Sequence, residues 1–305
     1  INCVFICFYM IVRAMRYLPD TIRTGMLCTK SLETISKNPA VNAYLSNLKR
    51  YERAATGVSG IMIYDMAVNE NKIKRARMGV LTGKTLLLMG LTDDIFDNGK
   101  ANLENRWRFI DNVRLDLFGY SAHSGCSLEE EAAYALAQQL YHEFFIQDKE
   151  EKTEAVFDEL IEAAKKQFGE QDTEKLLEIE KNTGAASFDV ISSMIEILTE
   201  TNYPVLRNAI RHLGEYAQLQ DNVCDINENL REGARTYATV RISREGDTRE
   251  TRRSIKSAYR LHAEESFSTG LSALATEEQM TNYRLLRFLV DAYCAYKNLK
   301  NLTLQ

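Results

Sequence analysis

In the stretch LTGKTLLLMGLTDDIFDNG, residues 81–99, a long apolar run ends in three aspartates. The three aspartates are Asp93, Asp94 and Asp97. The apolar run contains no proline and predicts a core helix with an acidic end. Like charges repel one another, and a carboxylate buried without a partner is costly. The aspartates must therefore face water or surround a positive charge.

The rest of the chain favours helices in the same way. Only three prolines occur among 305 residues, and apolar residues recur at helical spacing almost throughout, for example over 128–145. Residues 173–184 predict a helix with Thr173 at its N-cap and Gly184 as its stop, and residues 186–202 predict a separate, buried helix. We therefore expect one all-α domain over residues 1–305, with about ten or more helices.

Composition excludes several classes of function. The net charge is −5 and no basic stripe is present, so nucleic acid is not expected as a partner. Six cysteines are scattered without a CxxC pair, which predicts reduced thiols in a cytoplasmic protein, and four unpaired histidines argue against zinc. The apolar N-terminal run before Arg13 is shorter than the roughly 20 residues that span a bilayer. We predict a buried first helix there, and peripheral membrane contact is the alternative.

A second acidic segment, GEYAQLQDNVCDINEN, occupies residues 214–229. Asp221, Asp225 and Asn229 recur every four residues, so they share one face of a helix, as Asp93 and Asp97 do. One such pair alone is often a solvated helix end. Two facing pairs would form a strongly negative cavity, which suits Mg²⁺ bound together with substrate phosphates. The predicted ligands all carry side-chain oxygens: Asp93, Asp94, Asp97, Asp221, Asp225 and Asn229.

Four segments resemble motifs of the class I isoprenoid synthase superfamily. DDIFD is similar to the first aspartate-rich motif, DDxxD, and GEYAQLQDNVCD resembles the second, GxxFQxxDDxxD, with Asn222 in place of the middle aspartate. The second segment also fits the DxxxD of squalene synthases. EGARTY resembles the basic segment that follows this motif, and KNTGAASF resembles the mid-chain helix break of the family. The superfamily includes prenyltransferases, squalene and phytoene synthases, and terpene cyclases.

The resemblance implies a helical bundle around a central cavity, in which Mg²⁺ assists ionisation of a prenyl diphosphate. It implies three Mg²⁺ ions with the bound diphosphate, and four aspartates as the catalytic set: Asp93, Asp97, Asp221 and Asp225. Lys181 and Arg235 are expected to contact the diphosphate. Three aromatic residues near the motifs would line the cavity or, as we favour, pack in the core: Phe96, Phe188 and Tyr216.

Two departures bear on the branch of the superfamily. The arginine pair that follows DDxxD in chain-elongating enzymes is represented only by Arg106 and Arg108, split by Trp107, and the lysine of the helix break is replaced by Asn182. A second polyanionic substrate needs its own basic residues, so the departures favour a cyclase. The alternatives are a squalene/phytoene-type or chain-elongating prenyltransferase, and an inactive partner subunit. Chain length and oligomeric state stay open, a homodimer being one option.

Overall fold

The chain is all-α, as the sequence predicts. The computed structural model describes residues 17–48, 50–68, 72–98, 103–145, 150–170 and 172–303. These residues form twelve α-helices and one π-helical turn, and none of them lies in a strand. They divide into two compact units, Ile1–Glu154 and Ala155–Gln305. The N-terminal run predicted as a buried helix lies outside the described residues. None of the helices in the described residues combines the length and the apolar character that a bilayer crossing requires.

The first unit contains the first acidic segment. Its helices are α1 (Leu18–Leu32), α2 (Pro39–Asn47), α3 (Arg50–Ala67), α4 (Lys72–Asn98), α5 (Leu103–Leu117) and α6 (Leu128–Leu140), followed by a π-helical turn (Tyr141–Phe145). The apolar run lies on α4, which packs against α3 and α6. Leu87, Leu88 and Leu91 of α4 are buried. The predicted core helix with an acidic end is therefore confirmed.

An ion pair between a buried lysine and a partly exposed glutamate interrupts the apolar run of α4. The Lys84 side chain is fully buried, and its Nζ lies 2.8 Å from both carboxylate oxygens of Glu143 in the π-helical turn. Gln139 donates a further hydrogen bond to Glu143 at 2.7 Å. A buried ammonium needs such a partner, so this pair fixes α4 against the end of α6.

The second unit contains the second acidic segment. Helix α7 (Glu150–Gly169) crosses the boundary between the units and is followed by α8 (Thr173–Thr199), α9 (Pro204–Glu232), α10 (Tyr237–Glu245), α11 (Arg249–Ala273) and α12 (Glu277–Thr303). Helix α9 packs against α8, α11 and α12. The N-cap of α8 is Asp172, rather than the predicted Thr173, and its carboxylate accepts hydrogen bonds from the backbone N–H groups of Glu174 and Lys175.

Gly184 does not end a helix, so that prediction is wrong. Helix α8 runs without interruption through residues 173–199, and Gly184 is buried where α8 crosses α9. A Cβ atom on Gly184 would lie 2.4 Å from the carbonyl oxygen of Gly214, and one on Gly214 would lie 2.2 Å from the carbonyl oxygen of Gly184. The two glycines therefore allow a backbone-to-backbone contact that any side chain would prevent.

Candidate metal and diphosphate site

The first acidic segment lies at the C-terminal end of α4. Asp93 and Asp94 are exposed, whereas Phe96 is buried and packs against Trp107 of α5 with ring centroids 4.7 Å apart. Asp97 belongs to α4, but its side chain lies outside the described residues. The apolar side of this last turn thus faces the core while the first two carboxylates face outward, where a ligand has access to them.

The second acidic segment holds a cation from its own chain. Asp221 and Asp225 lie one turn apart on α9, and Lys297 of α12 lies between them. The Lys297 Nζ is 3.0 Å from Asp221 Oδ1 and 2.5 Å from Asp225 Oδ2. The Asp225 side chain is 14% exposed and that of Asp221 is 38% exposed. For this segment, the positive charge that the sequence requires is therefore an ammonium group.

The electrostatics of the pair follow from this crowding. Burial and the adjacent charge of Asp221 raise the pKa of Asp225 to about 6, although Lys297 acts in the opposite direction. Burial lowers the pKa of Lys297, but the two carboxylates outweigh burial and hold this pKa above its ordinary value. Asp225 Oδ1 is buried without a hydrogen-bond partner among the described residues. The site thus attracts a cation and retains one carboxylate oxygen that no described residue uses.

Contacts on either side of Lys297 hold α12 against α9. The Cys224 thiol lies 3.7 Å from the carbonyl oxygen of Cys294, and the Asn298 amide donates to Cys224 Sγ at 3.4 Å. Cys224 lies between Asp221 and Asp225 in the sequence, so α12 covers the acidic face over more than one turn. The position of Lys297 is therefore part of the helix packing.

Asn229 and Asn222 occupy different faces of the same segment. Asn229 continues the row of Asp221 and Asp225 by one more turn and is partly exposed. Asn222 is buried, donates to Glu180 Oε2 at 2.9 Å and accepts from Gln218 Nε2 at 2.9 Å. The residue that replaces the middle aspartate of the family motif thus points away from the acidic pair.

The two basic residues predicted to contact diphosphate have partners elsewhere in the second unit. Lys181 Nζ pairs with Glu178 Oε1 at 3.0 Å on the surface of α8. Arg235 lies in the turn between α9 and α10, and its Nε donates to the backbone carbonyl of Glu170 at 2.5 Å. Neither contact reaches the acidic pair, whereas Lys297, which was not predicted from the sequence, does. No local signal marks Lys297, because it is far from α9 in the sequence.

Two of the three aromatic residues near the motifs, Tyr216 and Phe96, are core residues, whereas Phe188 is only partly buried. Tyr216 is fully buried and packs against Phe267 with ring centroids 5.6 Å apart. Its hydroxyl donates to Asp291, and Arg287 stacks 5.1 Å above its ring. Phe96 is also buried. Core packing, the role we favoured for these side chains, is what both of them have.

The two carboxylates of the second acidic segment fit Mg²⁺ only if a phosphate ligand binds with the ion. Within the described part of the chain, no three His, Cys, Asp or Glu side chains are grouped closely enough to hold a metal ion. Mg²⁺ is commonly bound by one or two carboxylates, several waters and substrate phosphates. The two carboxylates of α9, with the unused Oδ1 of Asp225, match that need.

Comparisons with known proteins identify the fold. No family model and no curated protein matches the chain. The linalool/nerolidol synthase of Streptomyces clavuligerus, solved with 2-fluorogeranyl diphosphate, superposes with a TM-score of 0.55 at 13% identity over 92% of this chain and 99% of its own. The geranylgeranyl pyrophosphate synthetase of Pyrococcus horikoshii gives 0.54 at 13% identity over 90% and 99%. A polyprenyl synthase of Caulobacter crescentus, with calcium and isoprenyl diphosphate, gives 0.51 at 14% over 89% and 97%. The chain therefore has the all-α fold of the class I isoprenoid synthases.

Proposed function

We propose that the chain is a Mg²⁺-dependent class I terpene synthase that ionises a prenyl diphosphate, releases diphosphate and cyclises the hydrocarbon. The observation that carries the proposal is the Asp221–Asp225 pair, which already holds the ammonium group of Lys297. The fold supports it, since solved structures of this fold contain a fluorinated geranyl diphosphate or an isoprenyl diphosphate with calcium. In this proposal the two compact units act as one catalytic domain.

The residues of this chain have distinct tasks in the proposed reaction. Bound Mg²⁺ ions, three in this proposal, would neutralise the negative charge that develops on the diphosphate as the C–O bond breaks. The catalytic set that would hold them comes from both acidic segments: Asp93, Asp97, Asp221 and Asp225. Asp94 and Asn229 would complete the coordination. Arginine suits a phosphate because its planar group donates two parallel hydrogen bonds, which favours Arg235.

The basic residues must rearrange when diphosphate binds. Lys297 occupies one oxygen of each carboxylate and would repel a metal ion bound to the same pair, so it has to move aside or turn towards the diphosphate. The Lys181–Glu178 pair is largely exposed on the Glu178 side and contributes little to stability, so Lys181 can exchange partners at low cost. Arg235 would have to leave a backbone carbonyl, which a charge-assisted bond to phosphate can offset.

The products of the reaction decide between the branches. The purified protein would be incubated with Mg²⁺ and single prenyl diphosphates of graded chain length, with and without isopentenyl diphosphate, and the products analysed by mass. We expect diphosphate release without a co-substrate, and a cyclic or rearranged product that keeps the carbon count of its substrate. A product with doubled carbon number indicates the squalene/phytoene-type reaction, and one extended by five-carbon units indicates a chain-elongating transferase. No release from any substrate would support the inactive partner subunit.

A further inference from the structure

A buried carboxylate lies directly behind the second acidic segment. Glu180 of α8 is 2% exposed, and its Oε2 accepts a hydrogen bond of 2.9 Å from Asn222 of α9. Its Oε1 accepts a hydrogen bond of 2.7 Å from the backbone N–H of Tyr237, the first residue of α10. The Tyr259 hydroxyl of α11 is a third hydrogen-bond partner. One side chain thus links four helices, and none of these contacts involves the proposed metal ligands.

The hydrogen bonds of Asn222 fix the rotation of α9. Its Nδ2 donates to Glu180, and its Oδ1 accepts from Gln218 one turn earlier. Successive side chains on a helix point about 100° apart, so holding Asn222 towards the core turns its neighbour Asp221 away from it. Asp225 follows Asp221 by one turn on the same face.

The same contact explains why an asparagine occupies position 222. An aspartate there would place a second buried carboxylate in hydrogen-bond contact with Glu180, and two such groups repel strongly. The amide is a donor towards Glu180 and an acceptor towards Gln218, which a carboxylate at the same position does not provide. Glu180 and Asn222 therefore form one complementary pair.

We propose that Glu180 is a positioning residue that, through Asn222 and the N-terminus of α10, holds Asp221 and Asp225 in the orientation required to bind metal and diphosphate. What is positioned follows from the proposed function, whereas the pairing itself rests only on the contacts of Glu180. Glu180 touches none of the reacting groups, so its effect on binding must pass through α9.

Exchanging the two groups tests the pairing. In Glu180→Gln, the introduced amide faces either the Asn222 amide or the Tyr237 N–H, so either a buried donor loses its acceptor or the amides of Asn222 and Gln218 must both reverse. In Asn222→Asp, two carboxylates meet. In the double variant, the introduced carboxylate accepts hydrogen bonds from the introduced amide and from Gln218, while the carbonyl oxygen of that amide still accepts from the Tyr237 N–H. The introduced amide, Gln218 and the Tyr237 N–H thereby all have an acceptor, and one buried carboxylate remains. Glu174→Gln, an exposed change on the same helix, is the matched control.

Each protein would be measured by thermal unfolding, and by titration with Mn²⁺ in the presence of inorganic pyrophosphate at a temperature where all are folded. We expect each single variant to melt about 3–8 °C lower and to bind Mn²⁺ roughly tenfold more weakly, as loss of a group supporting metal ligands does elsewhere. The double variant should recover most of both losses. Single variants that lose stability but bind Mn²⁺ as the wild type does, or a double variant that combines both losses, would overturn the proposal.

A wild-type protein that binds no Mn²⁺ would contradict the proposed function, and a metal-free measurement then decides the positioning role. Lys297→Met is made alone and together with Glu180→Gln, and the melting temperatures of the four proteins form a double-mutant cycle. Glu180 and Lys297 contact different residues of α9. If Glu180 orients Asp221 and Asp225, the effect of Lys297→Met should shrink to less than half in the Glu180→Gln background. Fully additive effects would show that Glu180 does not orient the pair.

Discussion

At the scale of single residues, Lys297 shows how the second acidic segment remains stable without metal. Two carboxylates one turn apart on α9 would repel each other, and Asp225 is largely buried. The ammonium group lies within 3.0 Å of both and supplies the missing charge. A divalent ion bound to the same two carboxylates must compete with this charge, so metal affinity and metal-free stability depend in opposite ways on this lysine.

Lys297→Met should therefore destabilise the metal-free protein and strengthen the binding of Mn²⁺ alone. Breaking a partly buried ion pair leaves the carboxylates uncompensated, for which we expect a loss of about 1–3 kcal/mol in the free energy of unfolding. Removing the competing charge should lower the Mn²⁺ dissociation constant by roughly tenfold. Chemical denaturation and Mn²⁺ titration without pyrophosphate measure the two effects. The control is Lys256→Met, an exposed change on α11. An unchanged Mn²⁺ affinity in Lys297→Met would show that Lys297 does not compete with the metal ion.

Glu180 should also give the protein a characteristic pH dependence. Burial raises the pKa of this carboxyl to about 7, against the opposing hydrogen bonds from Tyr237, Tyr259 and Asn222. The folded protein then keeps a proton that the unfolded chain loses near its ordinary value of 4.5, so the stabilising effect of that proton is lost as pH rises towards 7. The melting temperature should thus fall more between pH 5 and pH 8 for the wild type than for Glu180→Gln. Parallel pH profiles for the two proteins would contradict a shifted titration of Glu180.

At the scale of elements, the crossing of α8 and α9 determines where the second acidic segment lies. The glycine contact brings the two backbones together, and Glu180, one turn earlier on α8, then reaches Asn222, two turns later on α9. The helices are antiparallel. On the other side of the crossing, the Nε of Arg207, near the start of α9, lies 2.6 Å from Oδ1 of the buried Asp189. Polar anchors on both sides of a close contact fix the register of α9 along α8.

Gly184→Ala and Gly214→Ala should each destabilise the second unit, although alanine is the better helix former. The added methyl group would lie 2.4 or 2.2 Å from a backbone oxygen, which has little freedom to move. Overpacking of this kind outweighs the gain of about 1 kcal/mol in helix propensity, so we expect a net loss of about 1–3 kcal/mol. Asn182→Ala, exposed on α8, gains propensity without a clash and should be neutral or stabilising in denaturant unfolding. A glycine variant as stable as the control would indicate that the helices separate easily.

The same crossing shows what could be predicted from the sequence. Periodicity predicted the all-α class and the rows of Asp93 and Asp97 and of Asp221 and Asp225, because residues four apart on a helix share a face whatever surrounds them. The role predicted for Gly184 was wrong, because glycine occurs both at helix ends and where two helices pack closely. Only the contact with Gly214 shows which of the two roles Gly184 has. Lys297 and Glu180 were missed for the same reason. Their roles depend on partners in other helices, which no local pattern records.

At the scale of the whole molecule, the two acidic segments belong to different compact units, so the proposed function requires metal ligands from both units. Asp93 lies at the end of α4 in the first unit, and Asp225 lies on α9 in the second. If the segments serve a single bound diphosphate, removing a ligand from either one should remove the same binding event. If they act separately, each loss should be partial and the two losses should add.

Thermal unfolding with Mg²⁺ and pyrophosphate distinguishes these cases. A ligand at about 100 times its dissociation constant stabilises by roughly 2.7 kcal/mol, so the wild type should melt about 5–10 °C higher with both ligands than without. Asp93→Ala and Asp225→Ala should each lose most of that shift and nearly all turnover, and the double variant should lose no more than either single one. Each shift is referred to the same variant without ligand, because Asp225→Ala also leaves Lys297 with one partner fewer. The control is Glu250→Ala, an exposed change on α11, which should keep the full shift in melting temperature. Independent partial losses in the two aspartate variants would mean that the segments bind separately.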